Sequence, residues 1–259
     1  IQFMGWGYGN AVTLIGADGG KCFSHGALIP CAVFLGGGLP IYVQINIDNP
    51  DWLDYFFTLY TQGQGFVMNE INRCRRCTWC GDDPLYQQYH DQEWGLPCKN
   101  DKKLFEFVLL EGAQAGLSWI TILRKRENYR KAFADFEVER VAAFNEQDIE
   151  RCVADAGIVR NRLKINSAVS NARCFMDVQA EFGSFSNYFW GYVDGTPIVN
   201  HWGSHAEIPA STALSDSISK DMKKRGFKFF GTTICYAHMQ AMGLINDHTT
   251  DCYRHAECR

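Results

Sequence analysis

Residues 102 onward predict a mostly α domain of about eight to ten helices, on three grounds. Apolar residues recur there at helical spacing, the periodic stretches run up to glycines that suit C-terminal caps, and the connections between them are short. Clear alternating strands are scarce in that part of the chain.

In chain order, residues 1–67 come first and differ from the rest. Their charged side chains are Asp18, Lys21, Asp48, Asp51 and Asp54, and glycine is dense. The alternation Ile41, Val43, Ile45, Ile47 predicts a strand. The uncharged run 23–47 is long enough for a membrane span, but Pro30, Gly36, Gly37, Gly38 and Pro40 interrupt it and His25 and Gln44 dilute it, so none is expected. Composition changes abruptly near Met68, which opens MNEINRCRRCTWC, and the boundary is placed there: an unassigned segment 1–67 and a domain 68–259. The first segment is either upstream sequence joined to a domain that starts at Met68 or a genuine extension, and no function is read from it.

The helical part begins with KKLFEFVLLEGAQAG, 102–116, where Leu104, Phe105, Val108 and Leu109 share a face and Glu111 and Gln114 follow. Further helices are expected over 145–157 and 162–183, each ending at a glycine, then over SDSISKDMKKRGF with its Ser or Asp cap, and last over 232–248.

The chain has 259 residues, 46% hydrophobic, 14% aromatic and 21% charged, with a net charge of -4, as an ordinary soluble globular protein does. Of 25 basic and 29 acidic residues the first segment holds one and four, which leaves the remainder close to neutral. Overall charge therefore gives no reason to expect a nucleic-acid partner. Cysteines number 11, an odd count; no signal peptide opens the sequence, and Cys74, Cys77 and Cys80 cluster, so a cytoplasmic metal-using protein is expected rather than a disulfide framework.

Cys77 and His90 lie in RCTWCGDDPLYQQYHDQEWG, 76–95, while His248 and Cys252 lie four apart near the C-terminus, where a helix end or tight turn can aim both at one ion. A Cys2His2 zinc site would clip the two ends of the domain together, and four protein ligands would make it structural. Cys74, Cys80, Cys98 and Cys258 also lie nearby in sequence, so spacing alone does not select the ligands; buried or idle free cysteines with surface histidines are the plain alternative.

The blocks RCTWCGDDPLYQQYHDQEWG, LLEGAQAGLSWITILRKRENYRKAF, DAGIVRNRLKI and EIPASTALSDSISKDMKKRGFKFFGTTICYAHMQAMGLINDH, with the H-x-x-x-C ending, closely resemble the DNA-3-methyladenine glycosylase I family from about Arg76 to Cys252. The resemblance implies a helix-hairpin-helix DNA glycosylase, monofunctional, that flips and hydrolyses N3-methyladenine from alkylated double-stranded DNA in base-excision repair. It also implies one structural zinc on the positions of Cys77, His90, His248 and Cys252. A cytoplasmic monomer is expected.

An enzyme acting on a stacked base must extrude it, read its edge and stack on its face. Trp79, Tyr86, Tyr89, Trp94 and Trp119 supply aromatic walls from two short segments; in the family the positions of Trp79, Tyr89, Trp94 and Trp119 line or adjoin the base pocket. Core packing is the competing explanation for each ring. Glu111 follows the apolar run FVLL and is expected on a buried helix end, where an unpaired charge is costly; the resemblance makes it the group that hydrogen-bonds the adenine edge. N3-methyladenine is cationic in DNA, so electron-rich faces favour it and its departure needs little acid catalysis. Glu111 and Tyr89 are therefore the catalytic expectation, through recognition and electrostatic stabilisation of the sugar, and Asp247 is given no role.

RGFKFFGTTICYA, 225–237, resembles a helix-hairpin-helix element in which Gly226 and Gly231 permit a tight turn and the next helix offers N–H groups to phosphate. Arg225 and Lys228 are expected to contact DNA, within a basic cluster that includes Lys220, Lys223 and Lys224, although such runs are usually solvated helix faces. DAGIVRNRLK, 155–164, is a second phosphate-contact candidate, and Leu117 matches the position that fills the gap left by the flipped base. Thr232 stands where some relatives have proline. A zinc-stabilised nucleic-acid binder without activity, and a glycosylase of other base preference, are the competing functions.

Overall fold

The computed structural model describes residues 14–16, 28–33, 41–46 and 75–258, the first three stretches as backbone only. The chain divides into two compact units, Ile1–Ile71 and Asn72–Arg259. In the first, strands β1 (Leu14–Gly16), β2 (Leu28–Val33) and β3 (Ile41–Asn46) form an antiparallel sheet in that order, with Ile29 opposite Ile45 and Val33 opposite Ile41. The alternation at Ile41, Val43 and Ile45 thus falls on a strand; Ile47 and Cys74 lie outside the described residues.

The second unit holds ten α-helices among the described residues: α1 Pro84–Gln92, α2 Asp101–Gln114, α3 Trp119–Leu123, α4 Arg126–Ala132, α5 Val138–Ala142, α6 Glu146–Ala154, α7 Arg162–Phe182, α8 Phe185–Gly191, α9 Ala213–Lys224 and α10 Thr232–Ala241. Local chemistry sets their starts. Asp83 accepts from the Leu85 and Tyr86 amides with Pro84 at the first helical position, and Asn145 and Thr212 form reciprocal capping boxes with Asp148 and Ser215. Gly183, at φ +79°, ends α7 as its position suggests.

Two expected ends differ. Helix α6 stops at Ala154, short of Gly157, because Asp155 turns extended and its carboxylate accepts the Gly157 amide at 2.7 Å, an Asx turn that competes with the helix. Helix α10 stops at Ala241 rather than running to His248. Gly243 follows at φ +71°, and a β-carbon there would lie 2.4 Å from the Leu96 carbonyl carbon and the Pro97 nitrogen. That contact comes from the segment after α1, held by the Cys98 amide on the Met242 carbonyl at 3.0 Å. Gly243→Ala is expected to cost about 2–4 kcal/mol, read as a fall in the thermal unfolding midpoint, because it adds both overlap with backbone and a strained φ.

Beyond Gly243 the chain forms strand β5 (Ile245–Asn246), parallel to β4 (Ile198–Val199), and this pairing fixes the path of residues 247–252. Helix α7 runs through the core and packs against α2, α5, α6 and α8; Phe175 stacks on Phe185 at 4.1 Å and meets Phe105 edge-on at 5.3 Å. No helix among the described residues is long and apolar enough to cross a membrane.

Candidate base pocket and metal centre

The expected aromatics come together. Trp79, on a short 3-10 turn before α1, has its ring 4.9 Å from Tyr86, 5.0 Å from Trp94 and 6.3 Å from Tyr89. Tyr89 in turn lies 5.5 Å from Trp119, the first residue of α3. Glu111 occupies the last turn of α2, as its place after FVLL suggests, and is only 2% exposed. Three polar atoms in this group have no partner: Glu111 Oε2, Trp79 Nε1 and Trp119 Nε1. Buried polar atoms are nearly always satisfied, so one acceptor and two donors left open among aromatic rings mark a place where a polar ligand completes the bonding. Burial alone pushes the Glu111 carboxyl up to about 8, so it is largely the neutral acid at pH 7, able to donate from one oxygen and accept at the other. Burial, reinforced by Glu111, also raises the Tyr89 phenol, which stays protonated as a donor.

Two supporting residues escaped the sequence reading. Phe107, one turn before Glu111, stacks on Tyr89 at 6.3 Å and meets Trp119 at 5.7 Å. Over Phe107 stand the Lys103 ammonium at 5.1 Å and the Arg126 guanidinium at 5.4 Å. Arg126 binds Glu93 through both terminal nitrogens at 2.7 and 2.8 Å and Glu106 through Nε at 2.7 Å, which ties the end of α1 and the start of α4 to the middle of α2. Burial works against the Glu93 charge, but bonds from Arg126 and Lys103 outweigh it and hold the carboxyl down at about 2. Charged residues this far apart in sequence carry no local signal of their convergence.

Cys77, His90, His248 and Cys252 are all buried, and one ligand atom from each lies within 4.8 Å of every other. Cys77 Sγ is 3.5 Å from His248 Nδ1, and Cys252 Sγ is 3.4 Å from His90 Nε2 and 3.5 Å from His248 Nδ1. The outer nitrogens are occupied: His90 Nδ1 faces Asp91 Oδ1 at 2.8 Å, itself gripped by Arg76, and His248 Nε2 faces the Trp94 carbonyl at 3.2 Å. Each imidazole therefore donates outward and turns its lone pair inward, as ligating histidines do. Of the two thiols, Cys252 is the one favoured as thiolate, first through its pairing with Cys77, while that pairing and burial push Cys77 up. This donor set can hold a metal ion. His248 and Cys252 reach it from a turn, Cys252 N bonding the Thr249 carbonyl at 2.8 Å, and not from a helix. Cys80 points its sulfur at the Cys77 carbonyl, 3.1 Å away, and Cys258 approaches the outer His248 nitrogen at 3.6 Å, so neither joins the cluster.

Between α9 and α10 the chain turns over 225–231. Gly226, at φ +98°, leaves only 3.1 Å between an added β-carbon and Cys174 Sγ, and Gly231 caps α10. Asn171 of α7 clamps the main chain of Lys228, accepting its N–H at 2.8 Å and donating to its carbonyl at 2.9 Å. Lys220, Lys223, Lys224 and Lys228 are exposed. Arg225 instead pairs with Glu181 at 2.6 Å and Asp221 at 2.9 Å and covers Phe182 and Tyr188, so its guanidinium serves the hairpin's own packing. Thr232 bonds Asp216 and Ser215, taking up the place where a proline would have no donor. In the 155–164 stretch Arg160 is exposed, Arg162 pairs with Glu146 and Lys164 caps the Ala113 and Ala115 carbonyls of α2 at 2.8 and 2.6 Å. Leu117, in the loop between α2 and α3, is 41% exposed. Asp247 is buried and receives Asn200, Trp202, Tyr236 and Gln240 at 2.6–2.7 Å, a saturated structural carboxylate.

The methyladenine glycosylase family model matches residues 79–255. DNA-3-methyladenine glycosylase 1 of Escherichia coli strain K12 is 53% identical over 177 residues, 68% of this chain and 95% of that protein. The Haemophilus influenzae DNA-3-methyladenine glycosylase is 45% identical over the same length, 68% of this chain and 96% of the relative. Among solved structures, 3-methyladenine DNA glycosylase I of Staphylococcus aureus superposes with a TM-score of 0.68 at 38% identity, covering 70% of this chain and 96% of that one. A variant 3-methyladenine DNA glycosylase I in complex with 3-methyladenine gives 0.67 at 38% identity, over 69% and 96%. With the family's residues spanning most of the helical unit, this chain belongs to the methyladenine glycosylase family.

Proposed function

We infer that this chain is a monofunctional DNA glycosylase that flips N3-methyladenine out of alkylated double-stranded DNA and hydrolyses its N-glycosidic bond, in base-excision repair. The observation that carries the reading is Glu111: a buried carboxyl with an unpartnered oxygen, close enough to Tyr89 and Tyr86 for its charge to act on both phenols. A solvent-excluded acid of this kind is costly unless a ligand completes it, and an adenine edge offers both a donor and an acceptor.

Glu111 and Tyr89 bind the base edge, while Trp79, Trp94 and Trp119 form its walls. When the bond from C1′ to the base breaks, the electron pair goes to the base and cancels its positive charge, the sugar takes up the charge, and water adds at C1′ with loss of a proton. The base leaves neutral without being protonated, which is why the pocket needs a reader of its edge rather than a strong acid. Helices α9 and α10 act as the helix-hairpin-helix element: Gly226 shapes the turn and Gly231, at an ordinary φ of −69°, caps α10, Lys228 and the first amides of α10 take phosphate, and Arg225 holds the hairpin in position. Leu117 fills the gap in the stack.

Cys77, His90, His248 and Cys252 hold one zinc ion. Tetrahedral zinc with sulfur at about 2.3 Å and nitrogen at about 2.0–2.1 Å requires ligand edges of about 3.5 Å, and the sulfur–nitrogen separations above are 3.4–3.5 Å. With four protein ligands the ion supplies no chemistry to the base; it fixes the fold. The glycosylase domain is taken as 68–259, a monomer in the cytoplasm.

The test is release of free 3-methyladenine from methylated duplex DNA by the full chain, followed chromatographically. Release is expected. DNA binding by folded, metal-loaded protein with no base released would replace the enzyme with a DNA-binding relative.

A further inference from the structure

Phe229 is accounted for neither by the core nor by the backbone. Its φ is +53°, in the left-handed region, where a β-carbon costs about 1–2 kcal/mol and glycine sits freely. Its side chain is 38% exposed, while Phe227 and Phe230 on either side are 4% exposed and do the packing of the hairpin. A residue serving only the turn would be glycine or asparagine, and one serving only the core would be buried. Left-handed side chains that persist in spite of their cost concentrate at functional sites.

The position of Phe229 is set by two neighbours. A β-carbon on Gly112, the residue after Glu111, would stand 3.7 Å from Phe229 Cβ and 3.9 Å from its carbonyl oxygen, so the hairpin tip lies directly on the turn of α2 that carries the carboxyl. On the other side, the Asn171 clamp holds the adjacent Lys228 main chain. An exposed aromatic, preceded by an exposed lysine, is thus held in place against Gly112 in the last turn of α2, the turn that also includes Glu111. Aromatic rings interleaved with positive charge are how proteins grip an unstacked nucleotide.

We propose that Phe229 contacts the damaged nucleotide, its ring packing on the apolar face of the extruded deoxyribose where the nucleotide enters the pocket. This rests on the glycosylase reading and adds a residue from the hairpin to it. Phosphate binding by the hairpin fixes the strand; Phe229 then fixes the sugar next to the carboxyl that reads the base. Its absence leaves the base pocket intact but lets the sugar move.

Phe229→Gly separates this role from a structural one, because glycine relieves the left-handed backbone. The variant is expected to unfold at the same temperature as the parent or higher, and to bind free 3-methyladenine, followed by tryptophan fluorescence, within about twofold of the parent. Excision from methylated duplex DNA is expected to fall about tenfold, the scale of one lost aromatic contact to a nucleotide. Phe229→Asn, which also tolerates the left-handed region, should behave alike. Full excision by a stable Phe229→Gly protein would overturn the proposal, as would a lower unfolding temperature together with weakened free-base binding in both variants. If the parent itself releases no base, the glycosylase reading falls and this proposal with it; if the parent is active and Phe229→Gly equally so, this proposal alone falls.

Discussion

Glu111→Gln is expected to release 3-methyladenine at least about 100-fold more slowly than the parent and yet to be the more stable protein at pH 8. The first effect follows from the pocket, where glutamine keeps the shape but fixes one end as donor and the other as acceptor, whereas the acid can present either arrangement. The second follows from burial. In the unfolded chain this carboxyl ionises near its ordinary 4.5, and in the folded chain near 8. Between those values the unfolded state gives up a proton that the folded state retains, so stability falls as pH rises through the window, the reverse of an ion-paired carboxylate. Glutamine removes that loss. The gain should be about 4 kcal/mol at pH 8 and under about 1 kcal/mol at pH 5. Base release and thermal unfolding of the pair at both pH values check it; equal activity would remove Glu111 from the reaction, and equal stability at pH 8 would mean the carboxyl has a partner when folded.

Metal removal should have the other large effect. Stripping the ion with a chelator, or Cys252→Ala, is expected to lower the unfolding midpoint by about 10 °C or more, since a structural zinc contributes about 10 kcal/mol or more of binding free energy to the folded state. Elemental analysis should find one zinc per untreated chain. Metal-free protein with an unchanged midpoint would make the cluster a set of buried free thiols and imidazoles.

The residues that close the cluster were legible in sequence as two pairs, but choosing among the cysteines needed side-chain direction: Cys80 is three residues from Cys77 and turns its sulfur to a carbonyl instead. Local signals set the helix starts well, because Asp83, Asn145 and Thr212 act within their own first turns. They failed at the end of α10, where the stop comes from Leu96 and Pro97, remote in sequence from Gly243. Arg225 shows the same limit. Its partner Glu181 lies 44 positions away, a pairing that the basic run around it does not announce. The burial of Glu111 was suggested by an acid directly after an apolar run, although a solvated helix end fitted the same pattern, whereas Phe107 looked like any core ring and Arg126 like any surface charge.

The clip also constrains when this protein can finish folding during its synthesis. Cys77 and His248 are 171 positions apart, so the two halves of the site are synthesised well separated in time. At about 5–20 residues per second, roughly 10 to 30 s pass between the two halves of the site. For that interval the nascent chain carries Cys77 and His90 without their partners, able to bind an ion weakly or to be oxidised, but unable to lock it. Closing the site therefore waits until the second pair has been made, and chains without an ion would carry formed helices and an open clasp.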